Sequence, residues 1–177
     1  ARDVVALPDD YTGLVPYSMY IAIPMASQGS WMGHNLASIG PMLPEENLRG
    51  LGTLTKSVAL KCFGTETFFG ATQWSSKALW VHVKFGPLDI HTAYTPAHSE
   101  EETLTYGFQV SDDALLAAAG GPAPEFERPE PDLWITAGDR GAMVELQNRI
   151  QAGERFVLPS APVRDDDGMR VPISKVG

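Results

Sequence analysis

The sequence predicts an α+β fold dominated by antiparallel strands, a meander or cone with a few helices beside it, and three observations carry that expectation. Period-two alternation runs through residues 66–110, turns of two to eight residues punctuate it, and two later stretches have helical spacing behind a capping residue. A chain of 177 residues suits one hydrophobic core, so 1–177 reads as a single domain with its core in 17–110.

The elements follow in order. Tyr17 to Met25 (YSMYIAIPM) is aromatic and β-branched, hence strand. A Gly-punctuated turn over 28–33 leads to a second strand over 34–43, and Pro44-Glu45-Glu46-Asn47 breaks the chain. Over 53–63 both periods fit: Leu51, Leu54, Val58 and Cys62 recur at helical spacing, whereas Val58, Leu60 and Cys62 alternate. A short helix near 53–60 running into a strand is the expectation. ETFFGATQW is a strand. Leu79, Val81, Val83 and Phe85 alternate with Trp80, His82 and Lys84, which predicts a strand over 79–85 that turns at Gly86-Pro87 into a partner over 88–94. TLTYGFQV, from Thr103, is a further strand. Ser111 caps a helix near 112–119, residues 120–131 form a Pro/Gly-rich linker, and Asp139 caps a helix near 140–152 that Gly153 ends. FVLPSAPV is a last extended piece before a loose tail within the C-terminal part, 132–177.

Thirteen basic against 22 acidic residues give a formal net charge of −9, with the cations scattered. Phosphate neutralisation supplies most nucleic-acid affinity, so this distribution argues against nucleic acid and anionic membrane as partners and for a small-molecule substrate. The acidic, Pro-rich C-terminal third suits contacts between copies of the chain. The single cysteine, Cys62, excludes an internal disulfide and reads as a small buried hydrophobe. The N-terminal residues lack a signal-peptide layout and no apolar run reaches membrane-spanning length, which predicts a cytoplasmic protein.

Polar side chains concentrate between His34 and Tyr106. Gln73, Trp74, His34, His98 and Tyr106 are the candidate substrate-binding residues, and Lys56, Arg49 and His82 the candidate catalytic ones. Lys56 lies in an apolar segment without a nearby acid. Desolvation there favours the neutral amine, which attacks carbonyls to form a Schiff base, and Arg49 would depress its basicity further or hold a carboxylate. The plain alternative is a solvated lysine on a helix face. His82, His91 and His98 admit a three-histidine metal site, but no H-x-H or HExxH pattern supports it, and no metal or cofactor is expected.

Two resemblances attach to these residues. YSMYIAIPM and GLGTLTKSVALKCF resemble the acetoacetate decarboxylase-like superfamily, in which a lysine within a β-cone forms a Schiff base. The resemblance implies Lys56 as nucleophile and Arg49 as substrate anchor, with Met19 where the family has glutamate. NLRGLGT is similar to the pyrophosphate loop of the acetyl-CoA-dependent N-acetyltransferase superfamily, and SSKALWVHVKFG to a later helix of that family. This implies Arg49, Gly50, Leu51, Gly52 and Thr53 as the coenzyme loop, with Asn47 at its first position, and His82 as general acid at the family's tyrosine position. Ser75 and Pro87 depart from that helix pattern, and Ala78, Lys84 and Gly86 match it. The alternation in LWVHVKF ranks first a lyase, decarboxylase-like or cyclising/condensing enzyme acting on a carbonyl or carboxylate substrate through an interior polar pocket. The acyltransferase comes second, and a non-catalytic binding or assembly domain third. A helix over 76–85 would reverse the first two.

Overall fold

The computed structural model describes residues 4, 6–43, 48–96, 102–122, 126, 128–166 and 168–177. Its strands are β1 (Ser18–Pro24), β2 (Ser30–Ser38), β3 (Thr67–Gln73), β4 (Leu88–Thr92), β5 (Thr103–Gln109), β6 (Leu133–Thr136), β7 (Arg155–Leu158), β8 (Val163–Asp165) and β9 (Gly168–Val176). The helices are α1 (Leu51–Cys62), α2 (Ala78–His82, continued by a 3-10 turn over Val83–Phe85), α3 (Asp112–Ala118) and α4 (Arg140–Gln151). The strands form one sheet in the order β1-β2-β3-β5-β4-β7-β9-β6, with β8 on β9. This is the strand-dominated α+β class that the alternation predicts, and three of its helices lie where spacing and caps place them.

The sheet is mixed rather than a pure meander. β2 and β3 run parallel, joined through the crossover helix α1, and they pair over only three rungs, Ser30–Thr67, Trp31–Phe68 and Met32–Phe69. β3 and β4 both pair antiparallel with β5, which lies between them, so α2 carries the chain across a strand position.

Several expectations change. β2 begins at Ser30, inside the stretch expected to be a turn, and ends at Ser38. Helix α1 continues through Cys62 with no strand after Leu60. The hairpin at 79–85 is absent: this segment is helical, because Leu79 and Val83, one turn apart, are the residues that reach the core together with Phe85. Trp80 and Val81 are apolar too, so both periods fitted the sequence and packing decided between them. Gly86, at φ 131°, then ends the helical stretch at an angle that disfavours any side chain. The tail is the nine-residue strand β9, paired with β6, β7 and β8.

Helix α1 is turned opposite to its apparent stripe. Its buried face is Thr53, Lys56, Ser57 and Leu60, whereas Leu54 and Val58 are exposed. Cys62 is exposed as well, not buried as expected. The burial of Ser57 is made tolerable by its hydroxyl donating to the Thr53 carbonyl at 3.0 Å. At the far end of the sheet α4 buries Met143 and Leu146, and the Gln147 side-chain oxygen accepts from the amides of Ala93 and Tyr94 beyond β4. The core runs from Leu60, Phe68 and Leu79 through Tyr106 and Phe108 to Leu158 and Ile173. Within the linker, Arg128 is fixed, donating to the carbonyls of Val83 and Pro159. Among the described residues no helix is long and apolar enough to cross a membrane.

Candidate functional site

Beyond Met32 and Phe69 the parallel strands part. A cleft of about 510 Å³ opens there, lined on the β2 side by Gly33 to Leu36 and Ser38 and on the β3 side by Gly70 to Thr72. Each strand is paired on its other edge, β2 with β1 and β3 with β5, so the backbone groups on the facing edges look into the gap. The pairing of β1 with β2 shifts register between Ile21 and Ala22, opposite His34, which leaves His34 as the extra residue of a bulge and places it on the cleft. Val81 and His82 of α2 also line the cleft, as does Tyr20 of β1.

A second cavity, about 470 Å³, adjoins the cleft and shares Ser38, Pro41, Gly52 and Val81 with it. It lies at the N-terminus of α1, with Arg49, Gly50, Leu51, Gly52 and Thr53 in its wall and Lys84 opposite. Gly50, the N-cap, has φ 82° and offers no side chain to the first helical amides. The Leu51 amide donates to the Leu48 carbonyl at 3.4 Å, whereas those of Gly52 and Thr53 have no partner within the helix, and with the helix dipole and the two cations they favour an anion.

Beneath the cleft is a buried cluster. The hydroxyl of Tyr106, on β5, hydrogen-bonds Nδ1 of His82. Phe68 stands edge-on to the His82 ring, 5.7 Å between centroids. Lys56 reaches up from α1 with its Nζ 3.7 Å over the centroid of Phe68 and within 5.2 Å of that of Phe108. Lys56 is 0 % exposed, and its Nζ and the Tyr20 hydroxyl are buried without a hydrogen-bond partner among the described residues. Burial holds the Lys56 amine well below its ordinary pKa. Burial holds His82 well below the usual imidazole range, and Lys56 adds to this only when its amine is protonated. Burial raises both phenols, Tyr106 further through the neighbouring Tyr20.

The structure thus brings His82 and His34 onto one cavity and the loop Arg49–Thr53 onto an adjoining one that shares part of its wall, with Tyr106 directly behind His82. Lys56 touches this cluster from below but lines neither cavity. Trp74 is a core residue, 1 % exposed, with its indole N–H donating to the Ala93 carbonyl at 2.8 Å. Gln73 is exposed at the end of β3. His91 is exposed on β4 against Phe69, and the described residues hold no group of His, Cys, Asp or Glu arranged for a metal. His98 and Asn47 lie outside the described residues.

Sequence reasoning missed Tyr20, Gly33 and Gly70. A Cβ on Gly33 would stand 2.8 Å from the Tyr20 hydroxyl, and one on Gly70 would stand 2.7 Å from that of Tyr106. Glycines in the middle of strands mark such close approaches, and that signal was present in WMGHN and FFGAT. No protein-family model matches the chain, and no curated protein or solved structure is significantly similar to it.

Proposed function

We propose that the chain is an acyl-CoA-dependent N-acyltransferase, and the observation that carries this reading is the parting of β2 and β3 beside the α1 N-terminus. An extended ligand with amide groups would bond to the two facing strand edges as an added strand does. In the adjoining cavity the Arg49–Thr53 loop, with Lys84, suits a diphosphate, the anionic end of a coenzyme A thioester. His82 lines the cleft where the thioester would lie. The helical state of 78–85 agrees with this reading and removes the alternation that favoured a lyase.

In the reaction a neutral amine attacks the thioester carbonyl, the C–N bond forms, the C–S bond breaks and the sulfur leaves as thiolate. The amine sheds its proton to solvent, and solvent protonates the thiolate. His82, uncharged at neutral pH, acts as a hydrogen-bond donor to the charge that develops, as a neutral imidazole does when its pKa is held down. Titration with acetyl-CoA tests the reading. Saturating ligand should raise Tm by several degrees, because only a ligand that prefers the native state stabilises it. No shift with either acetyl-CoA or coenzyme A would sink it.

Lys56 supports a second reading, Schiff-base chemistry on a carbonyl substrate, because an unpartnered amine in an aromatic setting is a neutral nucleophile. Its complete burial, away from both cavities, ranks this reading second. Incubation with a β-keto acid or small diketone followed by borohydride should add a stable mass at Lys56 that Lys56→Arg abolishes. An adduct that persists in Lys56→Arg would remove this reading.

A further inference from the structure

The contact between Tyr106 and His82 assigns a proton. Tyr106 is 0 % exposed, and its hydroxyl meets a single partner among the described residues, Nδ1 of His82. A neutral imidazole has one donor nitrogen and one acceptor nitrogen, and a phenol donates better than it accepts. If Nδ1 carried the hydrogen, the phenolic proton would be left buried without an acceptor, because the Tyr20 hydroxyl beside it bonds to neither. If Tyr106 donates, both groups are satisfied and Nε2 holds the ring hydrogen.

We propose that Tyr106 is a positioning residue that donates to Nδ1 and locks His82 in its Nε2–H tautomer, presenting an N–H donor to whatever occupies the cleft. This deepens the acyltransferase reading and rests on it only for the identity of the ligand. The geometry is held from three sides. Gly70 leaves room for the Tyr106 ring against β3, Phe68 abuts the imidazole edge, and α2 carries the histidine at its C-terminal end. Among the described residues, the ionisable groups that act on His82 or share its cleft are Lys56 on α1, Tyr20 on β1, His34 on β2, Lys77 before α2 and Tyr106 itself. None is a carboxylate that would draw the hydrogen to Nδ1. Tyr106 therefore supports the reacting group from behind and does not bind substrate.

Nitrogen-15 NMR of the histidine side chains reads this directly, since the two tautomers give distinct ring-nitrogen shifts and couplings. In the free wild-type protein at pH 7, the His82 resonances, assigned by their loss in His82→Gln, should show the hydrogen on Nε2. In Tyr106→Phe, which keeps the ring over Gly70, the pattern should move to a tautomer mixture. A wild-type hydrogen on Nδ1, or an unchanged pattern in Tyr106→Phe, overturns the proposal. Acetyl-CoA is absent from this measurement, so a failed thermal shift with that ligand would defeat the transferase reading and leave the tautomer result standing.

Discussion

Nζ of Lys56 lies 3.7 Å over the centre of the Phe68 ring with no hydrogen-bond partner among the described residues, so a helix directs an amine into the core. A π face compensates an ammonium only in part, and burial shifts the amine toward its neutral form. Replacing an unsatisfied buried polar group with an apolar one of similar shape removes a cost of about 1–3 kcal/mol. Lys56→Met should therefore be more stable than wild type by that order at pH 7 in urea denaturation. The gain should shrink as the pH approaches 10, where the unfolded lysine also loses its charge. A destabilised Lys56→Met would show that the amine has a partner or a ligand.

His82 gives a second pH dependence. Its pKa is depressed in the folded state, so below about pH 6.5 the unfolded chain binds a proton that the native chain refuses. Stability should fall as the pH drops from 6.5 to 5, by up to about 1.4 kcal/mol per unit from this group. His82→Gln should show a shallower fall over the same window. Parallel pH profiles for the two proteins would mean that His82 titrates normally.

Arg49 supplies a cation at the α1 N-terminus. If a diphosphate binds there, Arg49→Ala should weaken coenzyme A binding about tenfold or more, the value of one hydrogen bond to a charged group. Calorimetric titration at fixed ionic strength measures it. Equal affinity in both proteins would place the anion elsewhere.

Gly33 tests the packing beneath the cleft. A Cβ at this position would stand 2.5 Å from the Phe68 ring. Gly33→Ala should cost about 1–3 kcal/mol through overpacking, read from the urea midpoint. A neutral substitution would mean that the Phe68 ring yields freely.

Much of the architecture was legible in the chain. Ser111 and Asp139 do cap α3 and α4 through hydrogen bonds from Ala114 and Ala142, and the alternation in 67–73 and 103–109 matches β3 and β5. Segment 78–85 misled because nearly every position is apolar, which satisfies a strand and a helix alike. The orientation of α1 was hidden for the opposite reason. Leu54 and Val58 point outward, while Thr53, Lys56 and Ser57 pack inward with Leu60, against the usual sense of amphipathicity. The candidate site was legible as a set of residue types but not as a place. The parallel pairing of β2 with β3 arises from contacts distant in sequence, and no local pattern announces where two strands part.

That parting has a mechanical meaning. Three rungs, the bonds from the Glu66 and Thr67 amides to the Gly29 carbonyl and one crossover helix couple the β1–β2 ribbon to the rest of the sheet, so the ribbon is the natural unit to open by itself, at a lower free energy than global unfolding. An occupant bonded to both facing edges would act as a rivet across that seam. Amide hydrogen exchange should then slow on occupancy at residues 33–38 and 70–73 together, while strands β7 and β9 exchange as before, and the two halves of the sheet would begin to unfold as one.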